Sequence, residues 1–197
     1  MRTPPSRRIG NVGLVIRRAN PDEAPAVAAL GARLFREAYG PTHPEPALTP
    51  YLTEAFSLPN VERMLADPDT TVLLAEGQGR EAFAGYAHLR MGAPDAPTTI
   101  LTGALPGRRP LEIVRFYVAA EYHGQGVAAV LMSACDAEAR ARGADVLWLQ
   151  AWQEAGRALA FYEKAGLTRI GTAIFRFGER EDHDFLLARP VEAAAIT

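Results

Sequence analysis

The sequence predicts a mixed α/β fold, a sheet covered by helices, and three observations carry that prediction. First, 197 residues with 48% hydrophobic and 22% charged content are enough for one domain with a proper core. Second, the C-terminal half alternates strand, helix, strand, helix and strand after an earlier hairpin. Third, the β-rich run LEIVRFYVAA (111–120) passes through a glycine turn straight into a helical repeat.

Taken in order, VGLVIRRA (12–19) reads as the first strand. A helix follows over 20–40, with Asn20 as N-cap, Pro21 in the first turn and Glu23 at capping-box spacing. Val27, Leu30, Leu34 and Ala38 repeat at helical spacing, and Gly40-Pro41 ends the run. Residues 44–67 hold one or two short helices. TTVLLAEG (70–77) and EAFAGYAHLRM (81–91) form a hairpin around Gly77-Gln78-Gly79. Four prolines and three glycines make 92–110 mostly surface loop. Beyond the glycine turn, Val127, Leu131 and Ala134 continue a helix to the C-cap Gly143. A strand over 145–152, a short helix over 154–166, and strands from LTRIGTAIFRFG and HDFLLARP complete the chain. The expected organisation is a flexible extension over 1–10, a single domain over 11–192 with the 92–110 insertion, and a tail over 193–197.

Composition excludes several functions. A net charge of −2 gives no electrostatic grip on nucleic acid. Arg2, Arg7 and Arg8 precede no apolar h-region, and VGLVI (12–16) is too short to span a membrane. Cys135 is alone, so no disulfide framework exists and a cytoplasmic location is expected. His43, His88, His123 and His183 lack metal-ligand spacing, so no metal is expected.

Gly124 and Gly126 stand where a strand hands over to a helix. Free N–H groups and the helix dipole favour an anion there, and glycine lets the backbone approach it. The competing reading is a tight turn that needs positive φ and binds nothing. Gly124, Gly126 and Ala129 also spell G-x-G-x-x-A, the dinucleotide fingerprint. That motif wants an acidic residue ending the next strand, which here opens with Asp145 and ends near Gln150 and Trp152. Too little chain remains for a dinucleotide-binding sheet.

VAAEYHGQGVAAVLM (118–132) resembles the acetyl-CoA pyrophosphate loop of the GNAT acetyltransferase superfamily, Q/R-x-x-G-x-G/A. His123, Gly124, Gln125, Gly126, Val127 and Ala128 occupy its six places, with His123 departing from Gln or Arg. ALAFYEKAGL (158–167) is similar to the second motif, N-x-x-A-x-x-F-Y-x-K-x-G-F, with Ala155 at the asparagine position. LEIVRFYV, WLQAWQEAGRALAFYEKAGL, RIGTAIFRFGEREDHDFLLARP and YLTEAF resemble bacterial PaiA-type spermidine/spermine acetyltransferases more narrowly. The resemblance implies a mixed, mostly antiparallel central sheet of about six to seven strands with helices on both faces. It also implies direct acetyl transfer from acetyl-CoA, a co-substrate, to the primary amine of a small molecule such as a polyamine. Backbone groups of Phe116, Tyr117 and Val118 would meet the pantetheine arm. A homodimer is compatible with this reading. Rival classes are a non-catalytic acyl-CoA sensor on the same fold and an acetyltransferase of a protein or peptide amine.

Direct transfer requires the ammonium to lose a proton and the leaving thiolate to gain one. Tyr162 matches the family's usual general acid; otherwise Phe161 and Tyr162 are both packing aromatics. Glu112 interrupts an apolar strand, a poor place for an unpartnered charge. It is either a base, as in many family members, or half of a salt bridge. Arg115 does not share its face in a regular strand. Lys164 reads as a solvated helix lysine. Glu37, Glu45, Glu54 and Glu154 would attract a cationic amine, but exposed glutamates are common.

Overall fold

Asn20 donates its backbone N–H to the Glu23 carboxylate at 2.8 Å, the reach-back half of the expected capping box. Glu23 also accepts two bonds from the Arg17 guanidinium, each 2.7 Å, and that cation holds its carboxyl below the usual range. One side chain thus starts the first helix and ties it to the strand before it.

The computed structural model describes residues 7–9, 13–77, 83–94, 99–177 and 180–191. The first half of the chain contains β1 (Arg7–Ile9), β2 (Leu14–Arg18), α1 (Ala24–Tyr39), α2 (Glu45–Ala55), α3 (Leu58–Ala66), β3 (Thr70–Glu76) and β4 (Phe83–Met91). The second contains β5 (Ile100–Leu101), β6 (Pro110–Val118), α4 (Val127–Ala141), β7 (Val146–Trp152), α5 (Gly156–Lys164), β8 (Thr168–Phe177) and β9 (Arg180–Pro190). Short 3-10 turns at Pro21–Glu23 and Ala120–Tyr122 precede α1 and the glycine turn.

Two compact units divide the chain, Met1–His88 with Arg115–Ala134 and Leu89–Val114 with Cys135–Thr197. In the first, the strand order is β1-β2-β3-β4-β6; in the second it is β4-β6-β7-β9-β8-β5. The pairs β1–β2, β2–β3, β7–β9, β8–β9 and β5–β8 are antiparallel, whereas β6–β7 is parallel. Parallel neighbours need a crossover, and α4 supplies it.

Among the described residues nine strands stand where about six to seven were expected. The extra two are β1, inside the expected N-terminal extension, and β5, inside the expected 92–110 loop. Runs of three and two residues are too short to show alternation, so only their pairing reveals them. Gln78 and Gly79 of the expected hairpin turn, and the 193–197 tail, lie outside the described residues.

The first unit packs Val27, Leu30 and Leu34 of α1 with Leu74 of β3, Tyr86 of β4 and Val127 of α4. Phe35 is buried beside them, while Ala38, expected on the same stripe, is exposed because the last turn of α1 outruns the core. In the second unit Val146, Trp148, Ile170, Ala173, Leu186 and Ala188 form the core. Trp148 donates its indole N–H to the Gly92 carbonyl at 2.7 Å, which satisfies the one polar atom of a buried side chain.

Candidate active site

Gly124 and Gly126 have φ of +78° and +83°, a region that favours glycine. A Cβ added at either would meet nothing within 4 Å. Positive φ and open space therefore coexist: the turn needs glycine for its backbone, and the backbone also lies bare to an approaching group. Residues 123–126 are exposed, while Val127 is buried and anchors the start of α4. Val130 N–H bonds the Gly126 carbonyl at 3.1 Å, so the N–H groups of Val127, Ala128 and Ala129 precede the regular ladder of α4. These residues fit a phosphate group on both steric and electrostatic grounds.

His123, where the motif departs from the family pattern, bonds through Nε2 to the Val118 carbonyl at 2.8 Å. Gln125 donates its side-chain amide to the Glu121 carbonyl at 2.7 Å. Both side chains fold back onto the turn and stiffen it.

Phe116, Tyr117 and Val118 are half-buried at the end of β6. The β4 backbone lies hard against this segment: a Cβ on Gly85 would stand 2.4 Å from the Tyr117 carbonyl oxygen. The parallel register of β6 with β7 runs from Pro110↔Val146 to Ile113↔Leu149 and ends there. Backbone groups of β6 beyond Ile113 take no part in that register.

In the second unit, Glu112 is 7% exposed and accepts a 2.6 Å bond from Arg90 Nη2. The partner missing from the sequence reading is thus Arg90 on β4, 22 residues upstream. Arg90 is half exposed, so one end of the pair meets water and the other does not. Tyr162 lies on α5 and is buried at 8% exposure, whereas Phe161 is half-buried. Their rings meet edge to face with centroids 5.6 Å apart. Ala155 precedes α5 and provides no side-chain cap, consistent with its departure from the motif's asparagine.

Other candidates find structural duties. Asp145 accepts bonds from the backbone N–H groups of Arg108 and Arg109 at 3.0 and 2.7 Å, which hold its carboxyl below the usual range. That engagement removes it from any ribose-binding role. Glu37 pairs with Arg33 at 2.8 Å, and Glu45 pairs with Arg36. Glu54, Glu154 and Lys164 are exposed. Among the described residues, no group of three or more His, Cys, Asp or Glu is placed to hold a metal ion. No helix among them is long and apolar enough to cross a membrane.

Residues 32–167 match the Acetyltransferase (GNAT) family. An uncharacterized N-acetyltransferase of Mycobacterium tuberculosis (strain ATCC 25618 / H37Rv) is 31% identical over 167 residues, covering 85% of this chain and 97% of its own. A second relative, an uncharacterized N-acetyltransferase of Lactobacillus delbrueckii subsp. lactis, is 24% identical and covers 90% of this chain and 97% of its own. Among solved structures, the PaiA N-acetyltransferase from Thermoplasma acidophilum in complex with coenzyme A shares the fold. Its TM-score is 0.66 at 15% identity, covering 90% of this chain and 98% of that one.

Proposed function

From the premise that this chain belongs to the GNAT family and is an acetyl-CoA-dependent N-acetyltransferase, we propose that it acetylates the primary amine of a small molecule by direct transfer. The open positive-φ turn at Gly124 and Gly126 is the observation that carries the reading, because its backbone is free for a phosphate to approach. The pyrophosphate of acetyl-CoA would rest on the N–H groups of residues 123–128. Its arm would meet the backbone of Phe116, Tyr117 and Val118.

In this reading the amine nitrogen bonds to the acetyl carbon as the carbon–sulfur bond breaks. Glu112 takes up the proton that the ammonium must lose, directly or through water, and Tyr162 returns one to the leaving sulfur. A half-exposed Arg90 can turn to solvent while that proton moves.

A polyamine is the acceptor that the motif resemblance favours. Two of the glutamates that would attract it, Glu37 and Glu45, are already engaged by arginines, so the proposal is held at the level of a small primary amine. The single buried thiol, Cys135, suits a reducing cytoplasm.

Incubation of the protein with acetyl-CoA and a library of primary amines tests this, read as thiol release together with the mass of the N-acetylated product. Amine-dependent thiol release with matching product is expected. Tight CoA binding without turnover of any amine would instead identify an acyl-CoA sensor.

A further inference from the structure

Among the described residues, Arg115 is a cation without a counter-ion. It stands in β6 immediately before Phe116, in the first unit, half-buried against α2 and β4. Its guanidinium carbon lies 4.7 Å from the centroid of the Phe56 ring, and Nη1 is 3.5 Å from His88 Nδ1. Tyr51 shares a hydrogen bond with it, and Tyr86 and Tyr117 complete its surroundings. Their two rings lie 5.9 Å apart. Among the described residues no carboxylate pairs with Arg115. By contrast, Arg17, Arg33, Arg36, Arg90, Arg142, Arg180 and Arg189 all hold an Asp or Glu.

Taking a guanidinium partly out of water without an opposite charge is costly, and aromatic faces offset only part of that cost. The neighbouring phenols do not neutralise it. Burial pushes Tyr86 and Tyr117 above the usual phenol range, so both stay protonated at working pH. Tyr86 Oη, in the same cluster, is buried without a hydrogen-bond partner. A fixed cation lodged among aromatic walls has the chemistry of a receptor for a carboxylate with an apolar stem.

Because Arg115 adjoins the segment assigned to the acetyl-bearing arm, this receptor bears on the acceptor, and the inference rests on the amine-acetyltransferase reading. We propose that Arg115 binds a carboxylate of the acceptor, so that the substrate is an amino acid or a related amine carrying a carboxyl group. A polycationic amine would meet a like charge at the same place.

The wild-type protein with CoA bound allows a test that does not depend on turnover. The Arg115 Nε–Hε resonance, assigned by its loss in Arg115→Lys, is followed while three ligand series are titrated. These are aliphatic amino acids of increasing chain length, the corresponding monoamines without a carboxyl, and the corresponding diamines. A saturable shift with members of the first series alone is expected. In steady-state assays the best amino acid should exceed its monoamine counterpart by about tenfold or more in kcat/KM. Arg115→Gln should erase that advantage chiefly through KM. Absence of the shift for every amino acid, or a preference for diamines that survives in Arg115→Gln, overturns the proposal. If the resonance moves and no amine is acetylated, the carboxylate site stands and the activity reading fails. If monoamines and diamines are acetylated and the resonance never moves, the reverse holds.

Discussion

Glu112 and Arg90 meet at 2.6 Å on the neighbouring strands β6 and β4, one side chain buried and the other half exposed. The asymmetry decides what each substitution does. Glu112→Gln keeps the shape and one acceptor, and it leaves Arg90 free to hydrate, so stability should fall by under about 1 kcal/mol. Arg90→Gln removes the cation beside a buried carboxylate and should cost more, about 1–3 kcal/mol. Urea denaturation of both variants checks the order. If Glu112 is the base, Glu112→Gln also lowers kcat/KM most at modest pH and recovers as free amine accumulates. A pH–rate profile matching the parent's in shape and height would leave Glu112 with its structural role alone.

Gly126→Val, suggested by the open space above the turn, carries a second effect, because φ of +83° strains any branched side chain. Gly126→Ala is the cleaner probe. It should cost roughly 1–2 kcal/mol of stability through backbone strain alone. Its methyl would sit where a phosphate must approach, so CoA affinity should fall by about tenfold or more. Calorimetric titration of the folded variant measures this. Unchanged affinity would reduce the glycines to turn-makers.

Asp184 gives the stability a pH dependence. Burial, and then the nearby charge of Asp182, push its carboxyl up to about 7. The folded chain therefore holds a proton that the unfolded chain releases near pH 4. Between those values the unfolded state binds fewer protons, so this residue makes stability decline as pH rises from about 4 to about 7 and then level off. Asp184→Asn should remove the decline and raise stability at pH 8, by on the order of 2–4 kcal/mol at full expression. Thermal melts across that range decide it, and parallel curves for parent and variant would refute the assignment.

The sequence announces elements whose signals are local. Asn20, Pro21 and Glu23 mark the start of α1 because capping acts over three residues, and Gly143 marks the end of α4 through its own φ of +66°. The glycine turn is legible for the same reason. What stays hidden depends on pairing between distant segments. Arg90 finds Glu112 because β4 and β6 are neighbours, and nothing in either nine-residue strand says so. The strand β5 is invisible until Ile100 pairs with Thr172. Arg115 reads in sequence only as a charge off the face of Glu112, and its lack of a counter-ion among the described residues emerges once α2 and β4 surround it.

Tyr162 offers the sharpest test of chemistry. Its ring is buried at 8% exposure and packs edge to face on Phe161 at 5.6 Å, so the side chain is held in place and its hydroxyl is the only group that substitution need remove. Phenylalanine keeps the ring and its contacts, so the melting temperature of Tyr162→Phe should stay near the parent's. Binding of acetyl-CoA should also persist, since help to the departing sulfur develops only as the carbon–sulfur bond breaks. General acid assistance is worth 10²–10⁴-fold, so kcat should fall on the order of a hundredfold. A solvent of higher pH should not restore the rate, because the missing function is proton donation; that behaviour separates Tyr162→Phe from Glu112→Gln. Stopped-flow measurement of the transfer step isolates chemistry from product release. If that step runs at the parental rate, Tyr162 is a packing residue and the thiolate takes its proton from water.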